Sequence, residues 1–339
     1  MADGVTAAWP AAETIRRPLS DGGNGLLEAW ADRRGGDLEE LEVTGPLGVS
    51  TRAHILRSGS LVVIESAEAC GLHLLPSKGR DPLHATTRGV GELLLAAVEG
   101  GASEIVLGLG GSATVDGGTG MARALGWRFM DDADNELPEG GGALAKLDSI
   151  RPPERTLEGR TVALCDVANP LVGPLGAARV YGPQKGASPG GVALLEAALG
   201  QLAQVLEEDL GLALANLAGA GAAGGLGAGA RAFLGAELMP GAEWMIEQAG
   251  LPGLLRRTDL IVTGEGHFDA QSSMGKVTGR VIDIARLAGV PVLLVCGRVD
   301  GPLPPGVEAI DGGGALLEEA DIARLTEGAC RGLASGDRL

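Results

Sequence analysis

The 339-residue sequence predicts an α/β protein of two domains, and three observations carry that expectation. Short apolar runs recur and end in glycine or a carboxylate: Leu61–Ile64 before Glu65-Ser66, Ile105–Leu109 before a glycine-rich loop, Val162–Leu164 before Cys165-Asp166, Leu260–Val262 before Thr263-Gly264-Glu265-Gly266, and Val290–Val295 before Cys296-Gly297. Helical patterns lie among them, Gly89–Val98 ahead of one run and Met274–Leu287 between two others, which is the alternation of a parallel sheet. The chain also exceeds the length at which one hydrophobic core usually stops growing. Together these point to a Rossmann- or flavodoxin-like parallel-sheet domain built from 1–40, 80–125 and 220–339, with a second α/β domain, 41–79 plus 126–219, inserted into it. The insertion is expected because Leu41–Ile64 and Trp127–Leu137 read as antiparallel hairpins, with turns at Gly45-Pro46-Leu47-Gly48, Ser58-Gly59-Ser60 and Asp131-Asp132-Ala133-Asp134-Asn135.

Composition narrows the function. With 45% apolar residues, 2% aromatics and 58 glycines, the cores must be built from Ala, Leu and Val and joined by many tight turns. A net charge of −17 argues against nucleic acid and against an anionic membrane surface as partners, since both need a basic footprint. Cys70, Cys165, Cys296 and Cys330 form no C-x-x-C pair, which suits reduced thiols and a cytoplasmic protein. His54, His73 and His84 form no metal-spaced pair, and His267 stands alone in its motif. Leu217–Ala230 is the segment of lowest complexity, and its composition leaves a flexible linker and a closely packed backbone both open.

The most informative stretch is Ile105–Met121. A buried-strand pattern empties into Gly108-Leu109-Gly110-Gly111-Ser112-Ala113-Thr114-Val115-Asp116-Gly117-Gly118-Thr119-Gly120, and a helical pattern follows. Glycine lets backbone approach a ligand closely. Loop N–H groups, the positive end of the next helix and the hydroxyls of Ser112 and Thr114 could together hold phosphate or carboxylate oxygens. Asp116 would hold a metal ion, a sugar-like hydroxyl or a backbone turn. Two further groupings carry chemistry. Asp166, at a strand end and close to Asn169, is placed to take a proton from a substrate hydroxyl or to hold magnesium, or else to cap a turn; Tyr181–Ala187 follows with Lys185. Glu265 and Asp269, with Gln271, Gly275 and Lys276 behind them, would serve a metal–nucleotide complex or form a solvated helix start. Gly108, Gly110 and Ala113 also match the dinucleotide pattern G-x-G-x-x-A, with Asp131 near the distance of a ribose-binding acid, while Walker and nucleophile-elbow patterns are absent. Spacing alone defines an α/β enzyme handling a phosphorylated ligand.

Gly108–Gly120 resembles the G-x-G-G-S-A-T-x-D-G-G-x-G signature of the bacterial glycerate kinases. Ser20-Asp21-Gly22-Gly23-Asn24-Gly25 is similar to their A-D-G-G-E-G, Val43–Gly48 to V-T-G-P-L-G, and Asp81–Leu93 to N-P-L-x-x-T-T-x-G-x-G-E-L. Cys165–Gly173, Gly182–Ala187, Gly219–Gly229 and Thr263–Lys276 follow in the same order, so the resemblance spans about residues 13 to 297. It implies ATP-dependent, magnesium-assisted phosphorylation of D-glycerate to 2-phosphoglycerate or 3-phosphoglycerate. It also implies roles by position. Asp166 becomes the base. Asp21, Gly22, Gly23, Gly110, Gly111, Ser112, Thr114, Asp116, Gly117, Asn169 and Lys185 become substrate or phosphate ligands. Glu265 and Asp269 become metal ligands, and Lys276 a catalytic cation. A homodimer is compatible with such an enzyme. In that context Gly219–Gly229 is a structural turn and helix start.

The sequence also departs from the family pattern. Members usually begin with a strand, a loop like A-P-D-S-F-K-G-S and a helix, whereas Met1–Pro10 enters at the end of that helix. Val115, His267 and Thr278 replace a common Asn, Arg and Pro. The tail after Gly297 is short, with Gly312-Gly313-Gly314 and a helical pattern over Leu316–Leu333. Beside the active kinase, the sequence therefore leaves two other readings: a degenerate member that binds a ligand or partner without turnover, and an NAD(P)-dependent oxidoreductase resting on Gly108, Gly110 and Ala113.

Overall fold

The computed structural model describes residues 1–269, 276–314 and 317–334. Contacts divide the chain into a larger unit, Ser20–Gly241, and a smaller one, Met1–Leu19 with Ala242–Leu339.

The larger unit holds strands β1 (Asp37–Thr44), β2 (Ser50–Ser58), β3 (Leu61–Glu65), β4 (Glu104–Gly108), β5 (Arg128–Met130), β6 (Ser149–Arg151), β7 (Arg160–Leu164) and β8 (Glu237–Met239). Six of them form one sheet in the order β1-β2-β3-β4-β7-β8. From β3 to β8 neighbours run parallel, while β1 and β2 add antiparallel at the edge of β3. Val62, Val63, Ile64 and Leu107 are fully buried, as expected of central strands covered on both faces. β1, Asp-Leu-Glu-Glu-Leu-Glu-Val-Thr, is the charged edge strand, which resists edge-to-edge pairing.

This grouping differs from the anticipated division at 1–40, 80–125 and 220–339. β4, anticipated in the Rossmann-like domain, pairs with β3 and β7, both anticipated in the insertion, and the Leu41–Ile64 strands extend that same sheet. The reason is physical: a strand presents the same N–H and C=O groups to a parallel or an antiparallel neighbour, so its sequence does not say which sheet it joins. Trp127–Leu137 does turn as expected, with Asp131 N donating to Asn135 O at 2.9 Å and a bridge between Met130 and Glu136. The ladder partner of β5 is β6.

The glycine-rich stretch is closely packed backbone rather than a linker. Ala222–Leu234 is helical, with left-handed angles at Ala223, Gly224 and Gly225. A Cβ on Gly224 would sit 1.9 Å from the Thr114 carbonyl oxygen, and one on Gly229 would sit 2.6 Å from that of Gly117.

The smaller unit carries β9 (Ile261–Phe268), β10 (Val292–Val299) and β11 (Val307–Asp311), all parallel in the order β11-β10-β9. A helix over Val277–Ala288 connects β9 to β10, and Met274, at the anticipated start of that helix, lies outside the described residues. Leu316 of the anticipated final helix is likewise outside them; the helix observed is Glu319–Ala334. Met1–Pro10 contributes a helix, Ala2–Ala8, whose Val5 packs with Leu293, Val295 and Cys330. No helix among the described residues is long and apolar enough to cross a membrane.

Candidate active site

Several predicted residues meet at the carboxyl ends of β4 and β7. Leu109 N donates to Leu164 O at 2.9 Å, which holds the start of the glycine loop against the end of β7. The Asp21–Gly23 turn lies against these strand ends with no space for side chains. A Cβ on Gly108 would meet Gly22 O at 2.3 Å, one on Gly110 would meet Gly23 Cα at 2.8 Å, and one on Gly22, itself at φ +89°, would meet Leu164 Cβ at 2.7 Å. The exposed Asp21 carboxylate accepts from Gly23 N at 2.9 Å, which fixes its direction. Asp166 lies two residues beyond β7 and is half-buried. In an open α/β sheet this edge is where ligands bind.

Asp116 is fully buried, so it does not stand open to a substrate as the resemblance implies. Its Oδ2 accepts from Thr87 N and Thr87 Oγ1 at 2.8 Å and from Gly120 N at 3.1 Å; Oδ1 accepts from Gly118 N at 3.1 Å. Burial raises its pKa, and the Thr87, Gly118 and Gly120 bonds oppose that rise. The N–H groups of Gly118 and Gly120, at the start of the Thr119–Ala124 helix, are thus spent on Asp116, not on an anion from outside. Of the alternatives the sequence left for Asp116, the structure realises the backbone turn. Gly117 donates its N–H to Gly224 O at 3.1 Å and serves packing.

Lys185 and the loop do come together. The lysine is 3% exposed, and its Nζ donates to Ser112 Oγ and to the Thr114 carbonyl oxygen, each at 2.8 Å. Burial lowers its pKa to about 8 despite the opposing pull of Cys70 and Asp116. The buried Cys70 thiol is pushed up to about 12 by burial, and its Sγ donates to Ser66 O at 3.1 Å. Ser112 is 4% exposed and Thr114 not at all, and Ser112 directly follows the Gly110-Gly111 stretch, the part of Gly110–Gly120 that stands toward solvent. Thr114 Oγ1 is buried beside the Cys70 thiol. Asn169 is occupied otherwise than anticipated: its amide donates to Leu175 O at 2.8 Å and accepts from Tyr181 OH at 2.7 Å, bracing the loop after Asp166.

Some functional framework was not legible in advance. Glu65 Oε1 accepts from Leu27 N at 2.9 Å and so anchors the Leu26–Arg34 helix that follows the Asp21 turn. Burial raises its pKa. Glu92 holds Thr44 through its N–H at 2.6 Å and its hydroxyl at 2.8 Å. Thr87 and Glu92 stand in a quoted motif, yet nothing in their spacing distinguishes a structural cap from a ligand contact.

Glu265, Asp269 and Lys276 belong to the smaller unit. Glu265 is half-buried on β9, in register with Cys296 of β10, which is in register with Asp311 of β11. Asp269 directly follows β9, and Lys276 precedes the Val277–Ala288 helix and is exposed. Gln271 and Gly275 lie outside the described residues. His267 Nε2 is 2.8 Å from Asp300 Oδ2, and Arg298 Nε donates to Asp300 Oδ1 at 3.0 Å; these partners, His267 first, lower the Asp300 pKa. Among the described residues no three His, Cys, Asp or Glu side chains gather as a ready metal cage. The dinucleotide pattern lacks its geometry. Eight residues separate Gly110 from the helix start at Thr119, and Asp131 holds its own turn, accepting from Ala133 N at 3.0 Å and Asn135 N at 2.8 Å.

Fold and site together define an α/β enzyme whose polar groups and glycine turns collect at the carboxyl edge of a parallel sheet. The family model for the glycerate kinase family matches residues 1–311, and the chain belongs to that family; it is a kinase. It is 42% identical over 298 residues to the glycerate kinase of Halalkalibacterium halodurans, covering 86% of this chain and 77% of that one. It is also 42% identical to the glycerate 2-kinase of Escherichia coli, covering 87% and 79%. A crystal structure assigned as glycerate kinase 2 from Salmonella typhimurium LT2 superposes with a TM-score of 0.86 at 37% identity, covering 100% of this chain and 93% of that one.

Proposed function

We propose that this kinase transfers the γ-phosphoryl group of ATP to D-glycerate, giving 2-phosphoglycerate. The observation that carries the reading is the meeting of the Asp21–Gly23 turn and the Gly108–Ser112 loop at the strand end that leads into Asp166. The C2 choice is supported by the glycerate 2-kinase among the relatives. Asp166 accepts the proton of the substrate hydroxyl as its oxygen bonds to phosphorus, and the bond from that phosphorus to the bridging oxygen of ADP breaks. The backbone at Gly110 and Gly111 and the Ser112 hydroxyl hold substrate carboxylate or phosphate oxygens, while Asp21 and Asp166 hold hydroxyl groups. Asp116, Gly117, Thr114 and Asn169 act by shaping this wall.

Glu265 and Asp269 offer hard oxygen donors of the kind that bind Mg2+ through one or two carboxylates while substrate phosphates supply the rest. Bound there, the ion would offset phosphate charge. Lys276 adds a further cation for the phosphates.

The test is D-glycerate-dependent ADP release. Asp166→Asn should lower kcat by about 10²–10⁴-fold with unchanged unfolding. No release by the unaltered protein overturns the reading. Phosphorus NMR of the product decides the position: coupling to one carbon-bound proton marks C2, coupling to two marks C3.

A further inference from the structure

We propose that Lys185 is a positioning residue, whose ammonium sets the direction of the Ser112 hydroxyl so that Ser112 donates its proton to an anionic oxygen of the bound hydroxy acid. The inference deepens the proposed function and rests on it.

Three observations lead there. At 3% exposure, Lys185 is enclosed in protein, so its charge acts through the groups it touches. Those groups are Ser112 Oγ and the Thr114 carbonyl, each at 2.8 Å, and both belong to the loop whose Gly110-Gly111 stretch is open to solvent. An ammonium has protons to give and no lone pair, so Ser112 Oγ is the acceptor in that bond, and its own proton must point elsewhere. A neutral amine has a lone pair. Once Lys185 loses a proton the serine hydroxyl can turn inward, and the loop loses a donor for the substrate.

The surroundings make this change accessible. Asp116 faces the lysine from the same loop, and the Cys70 thiol faces it from the end of the Ser66–Cys70 helix. Arg80, from the segment before Asp81, binds the neighbouring Gln184 carbonyl at 2.9 Å. Burial outweighs the pull of Asp116 and Cys70 and lowers Lys185 to about 8. The Cys70 thiol, pushed up to about 12, stays protonated through that range. The charged, hydroxyl-directing form therefore prevails below pH 8 and is lost above it.

The experiment is KM and kcat for D-glycerate, with saturating ATP, from well below to well above pH 8 for the unaltered protein, Lys185→Arg, Lys185→Met and Ser112→Ala. Calorimetric binding of D-glycerate without ATP is measured alongside. In the unaltered protein KM should rise about tenfold above pH 8 while kcat changes less, as loss of a hydrogen bond to a charged group predicts. Lys185→Arg keeps a permanent cation and should flatten that rise. Ser112→Ala should raise KM about tenfold at neutral pH and leave it flat. Lys185→Met should behave like Ser112→Ala, which carries the conclusion if the methionine variant does not fold. A KM and Kd that ignore pH in the unaltered protein, or a rise that persists in Lys185→Arg or Ser112→Ala, overturns the proposal. Binding without ADP release overturns the proposed function and leaves the pH dependence of Kd to decide this one. Neither binding nor release overturns both.

Discussion

The loop after β4 and the second half of β9 begin from the same pattern, an apolar strand running into glycine, and are opposite constructions. In the first, glycines are where they are because backbone lies against them: Gly108 against Gly22, Gly118 against Gly229, and Gly224 against Thr114. A buried carboxylate, Asp116, gathers four donors and holds the curve. In the second, Gly266 has open space around it, and Glu265 is half-buried on an edge strand. The difference teaches that the more deeply a loop is buried, the more of its polar residues are needed to hold the loop itself. Buried N–H groups must be paired, and only what remains can serve a ligand.

The contrast can be broken at several points. The largest effect is expected of Asp116→Ala, which strands four buried donors in one loop. Chemical denaturation should show a loss of about 4 kcal/mol or more, at the extreme of single substitutions. A loss under about 1 kcal/mol would mean that the loop does not depend on this carboxylate. Next comes Gly224→Ala, whose methyl group would fall 1.9 Å from a backbone oxygen at φ +73°. About 3 kcal/mol should be lost, because backbone on both sides cannot retreat. Smallest is Gly266→Ala, in the other region. With no atom within 4 Å of the new methyl group, unfolding should shift by no more than about 0.5 kcal/mol. Equal costs for Gly224→Ala and Gly266→Ala would erase the distinction between the two regions.

Much of the molecule was legible in the chain. The runs at Leu61, Ile105, Val162, Leu260 and Val290 are strands of the sheets, and Gly89–Val98 lies within an observed helix, Arg88–Glu99. Period and length suffice for such segments because each must bury a face whatever it packs against. Resemblance added the family. Roles within the motifs were less legible. Asp116, Asn169 and Lys185 are polar residues in or beside glycine-rich loops, yet the first two are consumed by backbone and loop contacts and Lys185 by its neighbours in the core.

By itself the sequence determined the strand runs at Leu61, Ile105, Val162, Leu260 and Val290, their alternation with helices as in a parallel sheet, the family, and the glycines that a close backbone approach requires. These follow from local pattern and from the absence of a Cβ, which are properties of the chain before it folds. The tertiary structure alone decided that β1 to β4 and β7 to β8 share one sheet, that Gly219–Gly229 wraps the Thr114–Gly118 turn, and that Lys185 is enclosed against Ser112. Strand partnership, burial and the filling of hydrogen bonds depend on residues as much as 104 positions apart, as between Arg80 and Gln184, and no local pattern encodes such pairings.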